Sequence, residues 1–448
     1  MDQAPDIAAS RLSPEELARN FADAHPPLTD NQAVIEADRC YFCYDAPCIE
    51  ACPTGIDIPG FIKKIASGNL AGSARTILES NILGGSCARV CPTEILCEHA
   101  CVRNAQEEKP IAIGALQRHA TDWQMTHRGQ PFSRAAATGR HVAVVGAGPA
   151  GLACAHRLAM HGHDVTVFDA RPKAGGLNEY GIAAYKLPDD FAQREIDFVT
   201  AIGGITIEAG KVLGRDFTLA ALEAAYDAVF LGIGQAGVRA LGIPGEQLDG
   251  VLNAVDFIEA VRRSSTRGDV PVGRRVVVIG GGNTAVDAAV QAKRLGAEEV
   301  TLVYRRGADT MSATPVEQEW AQTNNVAIRY WAAPARIEGT NGAVGSVTFA
   351  RGHLVDGKPD YALGEFTLAA DMVLKAVGQL FLPDPLDEDW IDVANGRIMV
   401  DAHGRTSRDG VYAGGDCTPG EDLTVAAVRD GRNAAETIHA DLVGAAGA

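Results

Sequence analysis

A chain of 448 residues, 46% hydrophobic and 22% charged, has room for two to four ordinary domains and the balance of a soluble globular protein. Its net charge of −17 excludes the basic footprint that nucleic-acid binding needs, and no apolar run approaches the ~18 residues of a membrane span. No cationic segment leads into an apolar one at the N-terminus, so the expected compartment is the cytoplasm, where clustered cysteines are metal ligands before they are disulfides.

Residues 1 to about 125 show short helical patterns and no alternating strand. Ser13-Pro14-Glu15-Glu16 supplies an N-cap, a proline at the first helical position and a glutamate at the third, predicting a helix to about Phe21. Further short helices are predicted over 59–66 and 71–78. A longer one is predicted over 112–126, with Ile113, Leu116, Ala120 and Trp123 on one face.

Eight of the ten cysteines lie in this zone, as Cys40-x2-Cys43-x4-Cys48-x3-Cys52-Pro53 and Cys87-x3-Cys91-Pro92-x4-Cys97-x3-Cys101. Ferredoxin-type runs end in x3-Cys-Pro, and their last cysteine ligates the other cluster. That logic groups Cys40, Cys43 and Cys48 with Cys101, and Cys52 with Cys91 and Cys97, with Cys87 as the fourth candidate. Two four-thiolate zinc sites would need the same number of cysteines.

From His141 the texture changes. The run 141–145 is a predicted strand feeding Gly146-x-Gly148-x-x-Gly151, a helix follows to His161, and a second strand, 164–168, ends at Asp169. This is a βαβ unit with a dinucleotide fingerprint. Gly146 allows the turn, Gly148 admits a pyrophosphate, Gly151 permits close packing, and Asp169 is placed for an adenosine ribose. The pattern recurs 134 positions later, as strand 275–279, Gly280-x-Gly282-Asn283-Thr284-Ala285, a helix to Leu295 and strand 300–304.

Here Ala285 replaces the third glycine, and Arg305-Arg306 stand where an acid would be. Two arginines suit a 2′-phosphate; stacking on adenine and solvated charge are the alternatives. Residues 262–274 read as a loop, 410–416 as a returning strand, and a helix is expected from about Thr424. Cys154 and Cys417 form no Cys-x-x-Cys pair and read as packing residues.

Two fingerprints imply two dinucleotides. Asp169, Gly175-Gly176-Leu177 and Gly414-Gly415-Asp416 resemble two-dinucleotide-binding flavoproteins, in which the first unit holds FAD and the second a nicotinamide. Ala46-Pro47-Cys48, the run from Ala51 to Pro59 and the run from Cys91 to Cys97 narrow this further. They resemble the electron-input module shared by dihydropyrimidine dehydrogenase and the small subunit of glutamate synthase. The pyrimidine branch is the nearer, and within it the separate input subunits of bacterial two-chain, NAD-dependent enzymes.

The resemblance implies an α/β chain. An all-α domain over 1–125 would hold two [4Fe-4S] clusters. An FAD domain would be formed by 140–235 and 379–448, with an NAD(P)H domain, 236–378, inserted in it. It implies FAD ligands Gly146, Gly148, Pro149, Ala150, Gly151, Asp169, Gly176, Leu177, Lys186, Gly234, Asp416, Thr424 and Val425. For NAD(P)H it implies Gly280, Gly282, Asn283, Thr284, Ala285, Arg305, Arg306 and Gly378. It replaces Cys87 by Gln117 as the fourth ligand beside Cys52, Cys91 and Cys97.

NADPH-using members have a third basic residue where this chain has Ser312, which tilts the expectation to NADH. The implied partner is an FMN- and iron–sulfur-containing catalytic subunit, in a heterotetramer, that reduces uracil or thymine. Glutamate synthase, or another terminal reductase, is the alternative destination. A docking module with redox-silent clusters is a third reading.

Overall fold

The computed structural model describes residues 6–383, 386 and 391–444. The chain divides into two compact units. The larger comprises 25–179, 189–237 and 381–448, so the cysteine zone and the first fingerprint share one unit. Helices Asp30–Asp38, Ile58–Ala66, Leu70–Ser80, Gly84–Val90 and Ile113–His127 form its cysteine-bearing part. Ile58, Phe61, Ile62 and Ile65 are buried at helical spacing on one of them, and they join Ile77, Leu116 and Ala120 in a core continuous with the neighbouring sheet.

That sheet is parallel and five-stranded, in the order Val411–Ala413, Ala228–Leu231, His141–Val145, Asp164–Asp169, Ile205–Ala209. Strand His141–Val145 is buried from Val142 onward because helices cover the sheet. Helix Pro149–Met160 packs along helix Thr424–Gly444. A Cβ at Gly431 would lie 1.9 Å from the Ala150 carbonyl oxygen, so only glycine allows this approach.

The smaller unit comprises 1–24, 180–188 and 238–380. Its parallel sheet runs Val326–Arg329, Glu299–Val303, Arg275–Gly280, Met372–Ala376, Val251–Asn253, with helix Asn283–Arg294 against it. A three-stranded antiparallel sheet, Ala332–Thr340, Ala343–Arg351 and Glu365–Ala369, completes it.

Some expectations change. The first 24 residues group with the second fingerprint rather than with the cysteines. Helix Pro14–Asn20 has its capping box at Ser13, and the Asn20 side chain and the Arg294 main-chain carbonyl meet at 2.9 Å. Ile7–Ala8 forms a two-residue strand against Val272–Gly273, where no strand was expected. Helix Ala254–Arg263 and that strand shorten the expected 262–274 loop. The strand near 411 and the helix from Thr424 stand where the sequence puts them. The expected domain ends at 1 and 448 lie outside the described residues.

Candidate dinucleotide and cysteine sites

In the larger unit, strand His141–Val145 delivers the chain to Gly146, whose φ of +101° and 2.3 Å virtual-Cβ contact with the Gly232 carbonyl oxygen exclude a side chain. A Cβ at Gly151 would lie 1.9 Å from the Gly146 oxygen. Beside Gly148 the nearest atom is the Gly176 Cα at 3.8 Å, leaving room over a helix N-terminus with no side-chain cap. Such an end presents free N–H groups and positive potential to an anion.

Asp169 ends its strand as expected. Its carboxylate accepts from the Ala147 N–H at 2.6 Å and the Arg171 N–H at 2.7 Å. Burial raises its pKa, and those two donors pull it back. The returning chain closes the group: Gly415 lies against Ala150, and the Thr424 hydroxyl donates to the Asn178 side-chain oxygen at 3.1 Å. Asp416 is pushed up to about 6, first by burial and then by Asp422. Val425 is buried, Leu177 is exposed, and Gly234 takes a φ of +60° with open space where a Cβ would stand. Asn178, 4% exposed, went unnoticed in the sequence; no motif marks it.

Lys186, expected at the flavin, is paired with two acids. It lies in the smaller unit, where its Nζ is 2.8 Å from Asp287 and 2.5 Å from Glu317. Burial alone would lower the ammonium's pKa, but the two carboxylates reverse this and raise it. One buried and one half-buried carboxylate therefore hold this cation.

In the smaller unit Gly280 repeats the role of Gly146, with a virtual Cβ 2.2 Å from the Ala376 oxygen. Gly282 caps helix Asn283–Arg294 without a side-chain bond, and Ala285 is fully buried in the third-glycine position. The Asn283 side-chain oxygen is buried without a hydrogen-bond partner, the kind of orphan that a bound dinucleotide satisfies. Thr284 follows it on the first helical turn.

Arg305 and Arg306 are exposed just past strand Glu299–Val303, and the Ser312 hydroxyl donates to the Gly281 oxygen at 3.3 Å. Gly378 takes a φ of +104°, and a Cβ there would stand 4.0 Å from the Arg239 Nε. Arg239, exposed and outside any fingerprint, is a neighbour that the motifs do not indicate.

The cysteines fall into two sets, and all ten are free thiols. Cys40, Cys43, Cys48 and Cys101 line one cavity with Ile58, Ile62 and Ile113. Burial pushes the Cys48 thiol up to about 12, helped by Cys40 and Cys101. In the second set Cys87 and burial hold the Cys91 thiol well above its ordinary value, with Cys97 and Cys52 adding to it. Burial likewise raises Cys97, with Glu98 and Cys52 adding to it. Crowded, desolvated thiols of this kind give up their protons to a strongly positive centre, so the donor sets fit an iron–sulfur group.

Gln117, 7% exposed on helix Ile113–His127, donates its Nε2 to the Gly84 oxygen at 2.7 Å. The amide oxygen is thus the atom left for a metal. Among the described residues no three His, Cys, Asp or Glu are close enough to grip a single ion. Cys154 and Cys417 are fully buried, and the Cys417 thiol donates to the Leu231 oxygen at 3.4 Å.

Long-range contacts tie the cysteine helices to the first fingerprint fold. Glu195, on helix Phe191–Thr200, accepts from both the Ser86 N–H, at 2.9 Å, and the Ser86 hydroxyl. Burial raises Glu195 to about 7. Arg89 stacks over Phe191 at 3.7 Å and pairs with Asp122. From helix Thr424–Gly444, Arg432 donates to the Thr54 oxygen at 2.9 Å and the Ser80 oxygen at 2.7 Å.

Two sequence profiles match the chain: pyridine nucleotide-disulphide oxidoreductase over residues 140–431, and dihydropyrimidine dehydrogenase domain II, 4Fe-4S cluster, over 17–129. The NAD-dependent dihydropyrimidine dehydrogenase subunit PreT of Salmonella typhimurium is 36% identical, over 94% of this chain and 97% of its own. The glutamate synthase [NADPH] small chain of Escherichia coli is 35% identical, over 93% of each chain.

Among solved structures, Mycobacterium tuberculosis FprA in complex with NADPH superposes with a TM-score of 0.57, at 22% identity over 69% of this chain and 86% of FprA. Thioredoxin reductase of T. acidophilum gives 0.51, at 22% identity over 68% and 99%. These two carry the fold alone. The chain belongs to the pyridine nucleotide-disulphide oxidoreductase family, as an NAD(P)H-dependent iron–sulfur flavoprotein that uses FAD and 4Fe-4S chemistry behind a dihydropyrimidine dehydrogenase-type N-terminal domain.

Proposed function

We propose that this chain is the electron-input subunit of a two-chain dihydropyrimidine dehydrogenase, oxidising NADH and sending electrons out through two [4Fe-4S] clusters. When bound, FAD accepts hydride from the nicotinamide and hands electrons on singly. The partner is read as an FMN- and iron–sulfur-containing catalytic subunit, in a heterotetramer, that reduces uracil or thymine to the 5,6-dihydropyrimidine; the compartment is read as the cytoplasm.

The chain's own residues have distinct parts in this. Gly148, Ala150 and Gly151 present N–H groups to the FAD pyrophosphate, Gly146 makes the turn before them, Pro149 opens the helix, and Asp169 faces the ribose. Gly176, Leu177, Gly234, Asp416, Thr424 and Val425 close around the cofactor. Gly280, Gly282, Asn283, Thr284, Ala285 and Gly378 seat the nicotinamide dinucleotide, with Arg305 and Arg306 at its adenosine end. That dinucleotide fold is read as inserted between the two parts of the FAD fold.

Cys40, Cys43, Cys48 and Cys101 would hold one cluster, and Cys52, Cys91, Cys97 and Gln117 the other. The observation that carries the reading is that both cysteine sets share one compact unit with the first fingerprint, so a route from flavin to thiolates lies within a single folded body.

The similarity to the glutamate synthase small chain, 35% against 36% for PreT, supports a second reading in which the same module feeds an amidotransferase. Purification with the native partner, then assay with uracil and with glutamine plus 2-oxoglutarate, separates the two. NADH-driven uracil reduction by the complex, with dye reduction but no uracil turnover by this chain alone, is the expected result. Uracil turnover by the isolated chain overturns it.

A further inference from the structure

The second cysteine set differs from the first in what touches its sulfurs. The Thr54 hydroxyl lies 3.3 Å from the Cys52 sulfur, and Thr54 is 3% exposed. In the first set the sulfur of Cys40 has a main-chain donor, the Phe42 N–H at 3.4 Å. Once Cys52 is a metal-bound thiolate it can only accept, so the proton in its contact belongs to Thr54.

Thr54 cannot turn to water at that burial. The loop carrying it is fixed from outside, because Arg432 grips the Thr54 and Ser80 carbonyl oxygens.

We propose that Thr54 is a positioning residue that sets the reduction potential of the cluster held by Cys52, Cys91, Cys97 and Gln117, by hydrogen bonding to the Cys52 thiolate. The proposal rests on the two-cluster reading above. Reduction adds negative charge that spreads onto the ligand sulfurs, and a fixed donor stabilises that charge more than it stabilises the oxidised form. In a low-dielectric surrounding the preference is strengthened. The Thr54 hydroxyl therefore raises the potential. This cluster lies on the Arg432 and Ser86–Glu195 side, where the cysteine helices meet the flavin fold; a raised potential favours it as the first acceptor.

The test uses the full chain reconstituted with FAD, iron and sulfide, titrated potentiometrically under electron paramagnetic resonance, with iron counted in parallel. Thr54→Val should keep the wild-type iron content and move one of two signals to lower potential, leaving the other in place. Thr54→Ser, which keeps the hydroxyl, should hold the wild-type value. Unchanged potentials in Thr54→Val overturn the proposal. A wild-type chain holding iron for only one cluster, or showing no signal that NADH elicits, would instead overturn the two-cluster reading, and the proposal with it.

Discussion

Lys186 offers a sharp test of how the smaller unit is held together. Its ammonium is 10% exposed between Asp287, 8% exposed, and Glu317, 19% exposed, at 2.8 and 2.5 Å. Asp287 also accepts from the Ala183 N–H at 3.3 Å and the Tyr185 hydroxyl at 3.4 Å. Lys186→Met keeps much of the aliphatic stem and removes the charge, leaving two carboxylates with no cation between them. Breaking a buried pair from one side costs about 3–5 kcal/mol, mostly the desolvation of what remains. At a urea dependence of about 2–3 kcal/mol/M, the midpoint of the transition that unfolds this unit falls by about 1–2 M. Urea denaturation followed by tryptophan fluorescence reads it, since Trp320 stands 6.0 Å from the Tyr185 ring. A variant within about 0.5 kcal/mol of wild type, the range of neutral surface changes, refutes the ion-pair argument. Loss of FAD with unchanged stability would return Lys186 to the flavin.

Gly151→Ala should abolish FAD retention, measured by flavin absorbance after desalting, because its Cβ would stand 1.9 Å from the Gly146 oxygen; full retention contradicts the loop assignment. Asp416 is raised from 3.8 to about 6 in the folded apo-protein. That contribution to stability is complete below pH ~4 and is lost as pH rises through 6. Asp416→Asn should flatten this part of the profile in pH-dependent denaturation, by at most about 3 kcal/mol at pH 8; an unchanged slope removes the burial argument. Replacing Arg305 and Arg306 together by serine should raise the KM for NADPH by about tenfold or more, at ~1.5–3 kcal/mol per charged hydrogen bond, while sparing NADH. Equal losses for both would make the arginines adenine-stacking groups. Cys101→Ala and Cys97→Ala should each lose one cluster's iron, and the double variant both; identical residual spectra in the two single variants would break the proposed grouping.

Much of the site is visible in the sequence because its determinants are local. Gly146, Gly148, Gly151 and Asp169 occupy 24 consecutive positions of one βαβ unit, so spacing alone places them at one sheet end. The crossing of Cys101 to Cys40, Cys43 and Cys48 followed from the Cys-Pro spacing, and these four line one cavity.

What pairs across long separations was not legible. Arg432 meets Thr54 across 378 positions and Glu195 meets Ser86 across 109, with side-chain and main-chain atoms that no motif encodes. The docking of residues 6–24 on the second fingerprint fold depends on such contacts too, through Asn20 and Arg294. The ion pairing of Lys186 was hidden for a related reason, because its partners Asp287 and Glu317 lie more than 100 positions on.

The account's central claim is that electrons entering as hydride leave through the cysteine-bound clusters. Anaerobic addition of NADH to the reconstituted chain, with flavin absorbance and electron paramagnetic resonance read on the same sample, tests it most directly. The account predicts flavin bleaching together with the appearance of reduced-cluster signals that disappear when the acceptor subunit and uracil are added. Flavin bleaching with clusters that stay silent at every NADH concentration would contradict it, and would make the cysteine domain a docking module.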